Sequence, residues 1–327
     1  VYLNAETMIN CLFWNCRGAN KPNFRRSIRY ILKKFNTDFL ALFETHASGD
    51  RAMRICHSLG FNNSFRIDAI GQSGGIWLLW RDQVGVITIL ESSDQYVHAK
   101  VEIGTEVMHL VAVYAAPTVS HRSGLWGQLK RVLENIDEPV MVGGDFNTIL
   151  RLDERTGGNG RLSPDSLAFG DWINELALVD MGFRGNTFTW RRGKETQNFV
   201  AKRLDRVFCN AQARVRWQEA VVSHLPFLAS DHAPVYVQLE PEKRGDPRRR
   251  PFRFEAAWLK HEGFKELLAA SWNGDISTPA ALVSLKEKLK KWNKEIFGNV
   301  MKRKEKLLGE IKDIQEKLEQ NPRDDLL

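Results

Sequence analysis

Val140-Met141-Val142-Gly143-Gly144-Asp145-Phe146-Asn147, VMVGGDFN, is a short apolar run closed by two glycines and then by an acid and an amide. A run of this length bounded by turn formers reads as a buried strand. It covers Pro139 to Asp145 and carries Asp145 and Asn147 at its mouth. The same shape recurs along the chain. CLFWN (Cys11 to Asn15) ends on an amide, FLALFE (Phe39 to Glu44) on an acid and HLVAVY (His109 to Tyr114) on a phenol. A fifth polar group, Ser230-Asp231-His232, stands ahead of the last strand. One Asn or Asp at a strand end is an ordinary turn former. Five such groups at five strand ends argue for a site where those ends converge.

Outward from this stretch, strands are expected over Ile9 to Asn15, Phe39 to Glu44, Gly75 to Trp80, Val84 to Leu90, Tyr96 to Ile103, Val107 to Tyr114, Thr187 to Arg191, Phe199 to Cys209 and Val235 to Leu239. Apolar residues at three- and four-residue spacing predict helices over Phe24 to Phe35, Arg51 to Leu59, Gly124 to Ile136 and Ser166 to Leu178. Gly75 to Tyr114 holds successive strands with no helix between them, which excludes the regular alternation of a Rossmann sheet or a TIM barrel. The expected class is α/β (α+β): a two-sheet β-sandwich of mainly antiparallel strands flanked by helices, its strand order open.

The run from Pro241 to Pro251, PEKRGDPRRRP, contains no apolar residue and reads as an exposed linker. It divides a domain over residues 8–240 from a basic helical extension over 252–327. In that extension Leu285, Leu289, Trp292, Ile296, Leu307, Ile311, Ile314 and Leu318 recur at helical spacing, with Gly298 and Gly309 as weak points. The seven residues ahead of Met8 are set aside from the fold argument.

A chain that is 43% hydrophobic and 27% charged can bury a core without disulfides. The four cysteines, Cys11, Cys16, Cys56 and Cys209, show no metal-ligand spacing and are expected to be reduced and buried, in a nuclear or cytoplasmic compartment. No run approaches the roughly 20 apolar residues of a membrane span. No basic-then-apolar leader opens the chain, so neither membrane insertion nor secretion is expected. The net charge is +7, and residues 241–327 hold 20 Lys+Arg against 15 Asp+Glu, so the basic excess sits mainly in the extension.

Phosphodiester cleavage gives these residue types a common purpose. It needs an activated water, charge relief on the non-bridging oxygens and a stabilised leaving alkoxide. Glu44 and Asp231 offer the hard oxygens that suit Mg²⁺, with Mn²⁺ as an alternative. His232 is the candidate for handling a proton or contacting a phosphate, and Asp205, in Arg-Leu-Asp-Arg-Val-Phe, is the candidate carboxylate on its other ring nitrogen. Asp145 and Asn147 are candidates to orient the water, and Asn15 and Tyr114 to donate to phosphate oxygens.

WNCRG (Trp14 to Gly18), LFET (Leu42 to Thr45), VYAAP (Val113 to Pro117), GGDFN (Gly143 to Asn147), RLDRVF (Arg203 to Phe208) and SDHAPV (Ser230 to Val235) resemble the ordered motif series of the exonuclease-endonuclease-phosphatase superfamily. The chain looks most similar to the endonuclease of plant LINE-type (non-LTR) retrotransposons. WNCRG, the loop RLDERTGG after GGDFN, Phe188-Thr189-Trp190 ahead of RLDRVF, and the basic, Trp-containing extension carry that likeness.

The resemblance implies a DNase I-like fold and a metal-dependent endonuclease that nicks DNA to leave 3′-hydroxyl and 5′-phosphate ends. Glu44 is then the principal metal ligand with Asp231 beside it. Asp145 and Asn147 position water and leaving group, Asn15 and Tyr114 contact phosphate, and Asp205 with His232 form a dyad. His46, where repair members often carry Lys, and Ala115-Ala116 depart from the pattern. DNA is the implied partner, together with a reverse transcriptase region of the parent polyprotein; no oligomeric state is implied. The rival readings are an abasic-site repair endonuclease, a small-molecule phosphatase of the same superfamily, and a remnant that binds nucleic acid without cutting it.

The segment Arg191 to Phe199 reads as a polar hairpin in which Arg191, Arg192 and Lys194 would bind DNA phosphates. Arg248 to Arg250 read equally as a nucleic-acid contact or as linker. Asp180, His98 and His109 read as structural and Trp77, Trp80 and Trp190 as core, with Trp190 a further candidate for packing on DNA.

Overall fold

The computed structural model describes residues 9–71, 74–156, 161–193, 199–241, 258–259, 261–272 and 278–293. In chain order its elements begin with β1 (Asn10–Asn15), α1 (Pro22–Lys34), β2 (Phe39–Phe43), α2 (Gly49–Ser58), β3 (Asn63–Ile67), β4 (Ile76–Trp80), β5 (Val86–Ser92), β6 (Tyr96–Ile103) and β7 (Glu106–Tyr114). Next come α3 (Val119–Arg122), α4 (Leu125–Leu133), β8 (Val140–Asp145), β9 (Arg155–Thr156), α5 (Pro164–Glu175), β10 (Val179–Asp180) and β11 (Arg184–Gly185). The series ends with β12 (Trp190–Arg192), β13 (Val200–Lys202), β14 (Asp205–Cys209), α6 (Ala211–Arg216), β15 (Val221–His224), β16 (Val235–Gln238), α7 (Glu262–Ser271) and α8 (Thr278–Trp292). The chain divides into two compact units, Val1–Glu242 and Lys243–Leu327.

In the first unit a seven-stranded sheet, β11-β15-β16-β1-β2-β4-β3, faces a six-stranded sheet, β10-β14-β8-β7-β6-β5. A small sheet, β12-β13-β9, stands apart from both. Strand alternation explains the apolar runs. Cys11, Phe13, Phe39, Ala41 and Phe43 of one sheet meet Leu110, Ala112, Met141 and Val207 of the other in the central core. Their neighbours Leu12, Trp14, Leu40 and Leu42 point the other way, under Phe24, Ile28 and Ile31 of α1 and Ala52 and Ile55 of α2. On the far side Val111, Val113, Val140 and Val142 lie beneath Leu125 and Leu129 of α4 and Phe169 and Trp172 of α5. Strands buried on both faces read as continuous apolar runs, and each such Leu or Phe contributes about 1.5–3 kcal/mol.

Most pairings are antiparallel, but β1 with β2, β7 with β8 and β11 with β15 run parallel, so the sheets are mixed. The first two reversals follow from their connections: α1 carries the chain from β1 to β2, and α3 and α4 carry it from β7 to β8, as a parallel pair requires.

The single strand expected over Phe199 to Cys209 is two. Val200–Lys202 joins the small sheet and Asp205–Cys209 the six-stranded one. The break lies where the Thr189 hydroxyl accepts hydrogen bonds from both Leu204 N and Asp205 N, each at 2.9 Å. Val84, expected to open a strand, closes a 3-10 turn instead. The strand expected over Thr187 to Arg191 forms over Trp190–Arg192, and the helix expected over Gly124 to Ile136 is shorter at both ends.

All four cysteines are free and buried. No helix among the described residues is long and apolar enough to cross a membrane. In the second unit α7 and α8 pack around Trp258, Phe264, Leu289 and Trp292. The helically spaced residues from Ile296 to Leu318, and nearly all of the linker, lie outside the described residues.

Candidate active site

Register brings the polar strand ends together. In the six-stranded sheet Asp145 is the Cα partner of Tyr114 on one side and of Asp205 on the other. In the seven-stranded sheet Asn15 pairs with Phe43, so Glu44 follows directly beside it. One amide bridges the two sheets at this edge, beside the Tyr114–Glu44 and His232–Asp205 contacts. Asn15 Nδ2 donates to Glu44 Oε1 and to Asp145 Oδ2, each at 2.9 Å. Tyr114 Oη donates to the same Glu44 Oε1 at 3.1 Å. Burial, then the charges of Glu44 and Asp145, hold the Tyr114 phenol far above its ordinary pKa, so it remains a donor.

The close approach depends on the glycines of VMVGGDFN. A Cβ on Gly143 would lie 2.7 Å from Cζ of Phe13, and one on Gly144, at φ +146°, would lie 1.9 Å from the Val113 carbonyl oxygen. The mouth also stores backbone strain. Arg17, Glu44, His46 and Asn147 all occupy the left-handed region, at φ +49° to +50°. Non-glycine residues there cost on the order of 1 kcal/mol each and tend to gather at functional sites.

His232 is buried at the centre. Its Nδ1 lies 2.9 Å from Asp205 Oδ2 and its Nε2 3.7 Å from Asp145 Oδ2. Burial alone would depress its pKa; the charges of Asp205 and Asp145 and the Asp205 hydrogen bond outweigh that and raise it to about 9. Burial, countered by His232 and reinforced by Asp205, pushes Asp145 up to about 6. The ring is held from behind. The His232 carbonyl accepts from Trp14 Nε1 at 3.1 Å, and Ser230 Oγ accepts from His232 N at 3.1 Å while donating to the Asn15 carbonyl at 2.8 Å. Asn147 donates through its backbone to Asp145 Oδ1 at 2.9 Å and through Nδ2 to the Ala115 carbonyl at 2.8 Å, which turns its amide toward Asp145 Oδ2.

Glu44 and Asp231 present the outer carboxylates. One oxygen of each is taken by neutral donors: Glu44 Oε1 by Asn15 and Tyr114, and Asp231 Oδ2 by Trp190 Nε1 at 3.0 Å. The other two face the Arg17 guanidinium, with the His46 ring beside one of them. Arg17 Nε lies 3.4 Å from Glu44 Oε2 and 3.1 Å from Asp231 Oδ1, and His46 Nε2 lies 3.5 Å from Glu44 Oε2. This donor set of hard oxygens already compensating a cation fits a divalent metal such as Mg²⁺. The buried trio Asp145, Asp205 and His232 is a second group able to bring ligand atoms within 4.8 Å of one another.

Every residue proposed for the chemistry from the sequence therefore lies at this edge of the sandwich. Of the expected DNA contacts, Arg191 and Arg192 fall within the described residues. Arg191 stacks its guanidinium 4.1 Å from the Phe227 ring centroid, and its backbone N–H donates to the Asp231 carbonyl. Arg192 is exposed, and Lys194 lies outside the described residues. Trp190, read as core, is half-buried and anchors Asp231.

Sequence reasoning missed Arg17 and Thr189 as neighbours of the site. It also missed the lattice beneath it, where Arg206 binds Glu154 and Asp180 and Arg203 binds Asp180 at 2.8 Å. That lattice ties the loop after Asn147 to β14, and the pairing of RLDRVF with RLDERTGG was its only visible signal.

A family model described as the Endonuclease/Exonuclease/phosphatase family matches residues 12–232. No curated protein sequence matches the chain. Among solved structures, the AP endonuclease LMAP from Leishmania major is similar at 16% identity, covering 71% of this chain and 87% of that one, with a TM-score of 0.57. The endonuclease domain of TRAS1, a telomere-specific non-LTR retrotransposon, is similar at 14% identity, covering 72% of this chain and 100% of that one, with a TM-score of 0.54. A 3′ phosphatase, NExo, from Neisseria bound to a product DNA hairpin is similar at 15% identity, covering 70% and 98%, with a TM-score of 0.53. These likenesses are of fold, two mixed sheets flanked by helices in the DNase I-like arrangement. The matched segment opens inside β1 and closes on His232, so it takes in all the strand ends that meet around Asp145, and the chain belongs to the endonuclease/exonuclease/phosphatase family.

Proposed function

We propose that the protein is a Mg²⁺-dependent DNA endonuclease of the kind carried by plant LINE-type retrotransposons, nicking one strand to leave 3′-hydroxyl and 5′-phosphate ends. The observation that carries this reading is the hydrogen-bonded convergence of Asn15, Glu44, Tyr114, Asp145, Asn147, Asp205 and His232, with Asp231 alongside. Glu44 and Asp231 would hold the metal, which supplies charge relief on the phosphate and the leaving oxygen. Asp145, with Asn147 hydrogen-bonded to it, holds the attacking water. His232, kept charged by Asp205, donates to a non-bridging oxygen; Asn15 and Tyr114, whose donors are engaged by Glu44 and Asp145, would reach the phosphate by exchanging those bonds. Arg191, Arg192 and Lys194 lie along the backbone of the duplex.

The WNCRG, GGDFN and RLDRVF motifs and the fold likeness to a retrotransposon endonuclease domain support the element class. In this reading residues 8–240 form the endonuclease, 241–251 a linker and 252–327 a basic extension leading toward a reverse transcriptase region. The four free thiols support a reducing intracellular setting.

Supercoiled plasmid incubated with the protein and Mg²⁺ should become nicked, with EDTA, Glu44→Ala or His232→Ala each stopping the reaction. Nicking that persists in EDTA, or in both variants, would refute the mechanism. A large preference for an abasic duplex over an intact one would favour the repair reading. Salt-dependent DNA binding without turnover would favour a non-catalytic remnant.

A further inference from the structure

Arg17 stands two residues beyond Asn15, where the family-like motif WNCRG turns out of β1. Its backbone is pinned, with φ +49° and its N–H donating to Asn15 Oδ1 at 3.3 Å. Its side chain is not pinned in the same way, being 42% exposed. The guanidinium nevertheless reaches back so that Nε lies 3.4 Å from Glu44 Oε2 and 3.1 Å from Asp231 Oδ1. Those are the two carboxylate oxygens that Asn15, Tyr114 and Trp190 do not engage, Asp231 Oδ1 having besides a long contact of 3.4 Å from Ser230 Oγ. The Nε atom is buried and makes no directional hydrogen bond to either oxygen. The attraction is therefore charge on charge, without the geometric lock of a bidentate arginine clamp. Among the described residues the guanidinium has no other ion pair.

We propose that Arg17 is an exchangeable counter-ion of the Glu44–Asp231 pair, competing with the divalent cation for the same two oxygens and thereby setting how tightly the metal binds. This rests on the reading of Glu44 and Asp231 as the metal-holding pair. Two carboxylates so close repel one another when nothing positive lies between them. In the metal-free protein Arg17 supplies that charge. A divalent ion arriving at Glu44 Oε2 meets the guanidinium there, and like charges exclude one another at this range. Metal entry therefore requires the side chain to leave, and its exposure gives it a route to solvent. The cost of breaking two partly exposed ion pairs is subtracted from the metal's affinity, amounting to about tenfold.

The test is titration calorimetry of Mn²⁺ alone into the full chain, on wild type, Arg17→Gln, Arg17→Lys and Glu44→Ala, with melting curves in EDTA and in saturating Mn²⁺. Arg17→Gln should bind Mn²⁺ about tenfold more tightly. It should also melt below wild type in EDTA, with the gap narrowing in Mn²⁺. Arg17→Lys, which keeps a compact charge on a shorter reach, should bind with intermediate strength and decides the matter if the glutamine variant does not fold. A merely structural arginine would give the opposite sign, since its loss would loosen the site and weaken Mn²⁺ binding. Equal or weaker binding by Arg17→Gln, beside a Glu44→Ala variant that has lost Mn²⁺, overturns the counter-ion role and leaves the metal reading standing. Wild-type binding by Glu44→Ala overturns both.

Discussion

Adding one methyl group at three glycines should produce three different outcomes. Gly127 lies exposed in α4 with nothing within 4 Å of an added Cβ, so Gly127→Ala should stabilise the protein by about 1 kcal/mol through helix propensity alone. Gly143 has room for the backbone but not for the methyl, which would sit 2.7–2.9 Å from three atoms of the buried Phe13 ring. That ring must shift within the central core, at a cost of about 1–3 kcal/mol. At Gly144 the obstacle is the Val113 carbonyl at 1.9 Å, part of the parallel ladder between β7 and β8, and φ is +146° besides. Relief means parting the strands, so strain of about 1–3 kcal/mol adds to one or two lost ladder bonds of about 1 kcal/mol each. Gly144→Ala should therefore cost about 2–5 kcal/mol.

Urea titrations followed by tryptophan fluorescence would rank the midpoints Gly127→Ala, wild type, Gly143→Ala, Gly144→Ala. The obstacles also differ in whether they can be removed. Phe13→Leu should recover part of the loss in Gly143→Ala and none in Gly144→Ala, because a carbonyl cannot be trimmed. Equal rescue of both, or a Gly144→Ala midpoint at or above that of Gly143→Ala, would show that close strand approach is not what these glycines provide.

Asp205→Asn should leave the fold and DNA affinity intact while lowering the nicking rate by on the order of 10²–10⁴-fold, read as kcat against KM. The buried pair His98 and His109, joined at 2.8 Å, should make stability fall with acid. Burial and then the neighbouring His109 charge lower His98 from 6.5 to about 4, so the unfolded chain takes up a proton over that window that the native state refuses. The contribution is present above pH 6.5 and is lost toward pH 4, up to about 3 kcal/mol. Urea midpoints should drop less over this range in His98→Phe than in wild type. Glu154→Gln removes the charge opposite the buried Arg206 and should cost about 3–5 kcal/mol in chemical denaturation, whereas a loss below about 1 kcal/mol would mean that Asp180 alone satisfies that guanidinium.

The sandwich was legible because burial on both faces leaves the central strands no polar residues until they end. VMVGGDFN and FLALFE therefore announced both a strand and the position of its mouth. The short elements were silent for the opposite reason. β3, NSFRI, is a half-exposed edge strand, and β9, β10 and β11 are two residues each, held by their neighbours' hydrogen bonds. The division of Phe199 to Cys209 depends on the hydroxyl of Thr189, a residue outside that run. In the site, residue types and strand ends could be read in order along the chain. Which oxygen meets which donor could not, because that follows from the meeting of two sheets. Arg17 illustrates the limit: in the sequence it is one basic residue before a glycine, and only the fold sets it between two carboxylates.

The Asn15 amide, shared between Glu44 on one sheet and Asp145 on the other, acts with the Tyr114–Glu44 and His232–Asp205 bonds as a rivet at the open end of the sandwich. Sliding or breathing of one layer against the other must stretch these bonds, so the separation between the carboxylate read as holding the metal and the one read as holding the water is governed by side chains, not by any covalent path. Layer spacing and catalytic spacing are then the same mechanical quantity, and substitutions deep between the layers should be felt at the mouth before they are felt in the melting temperature.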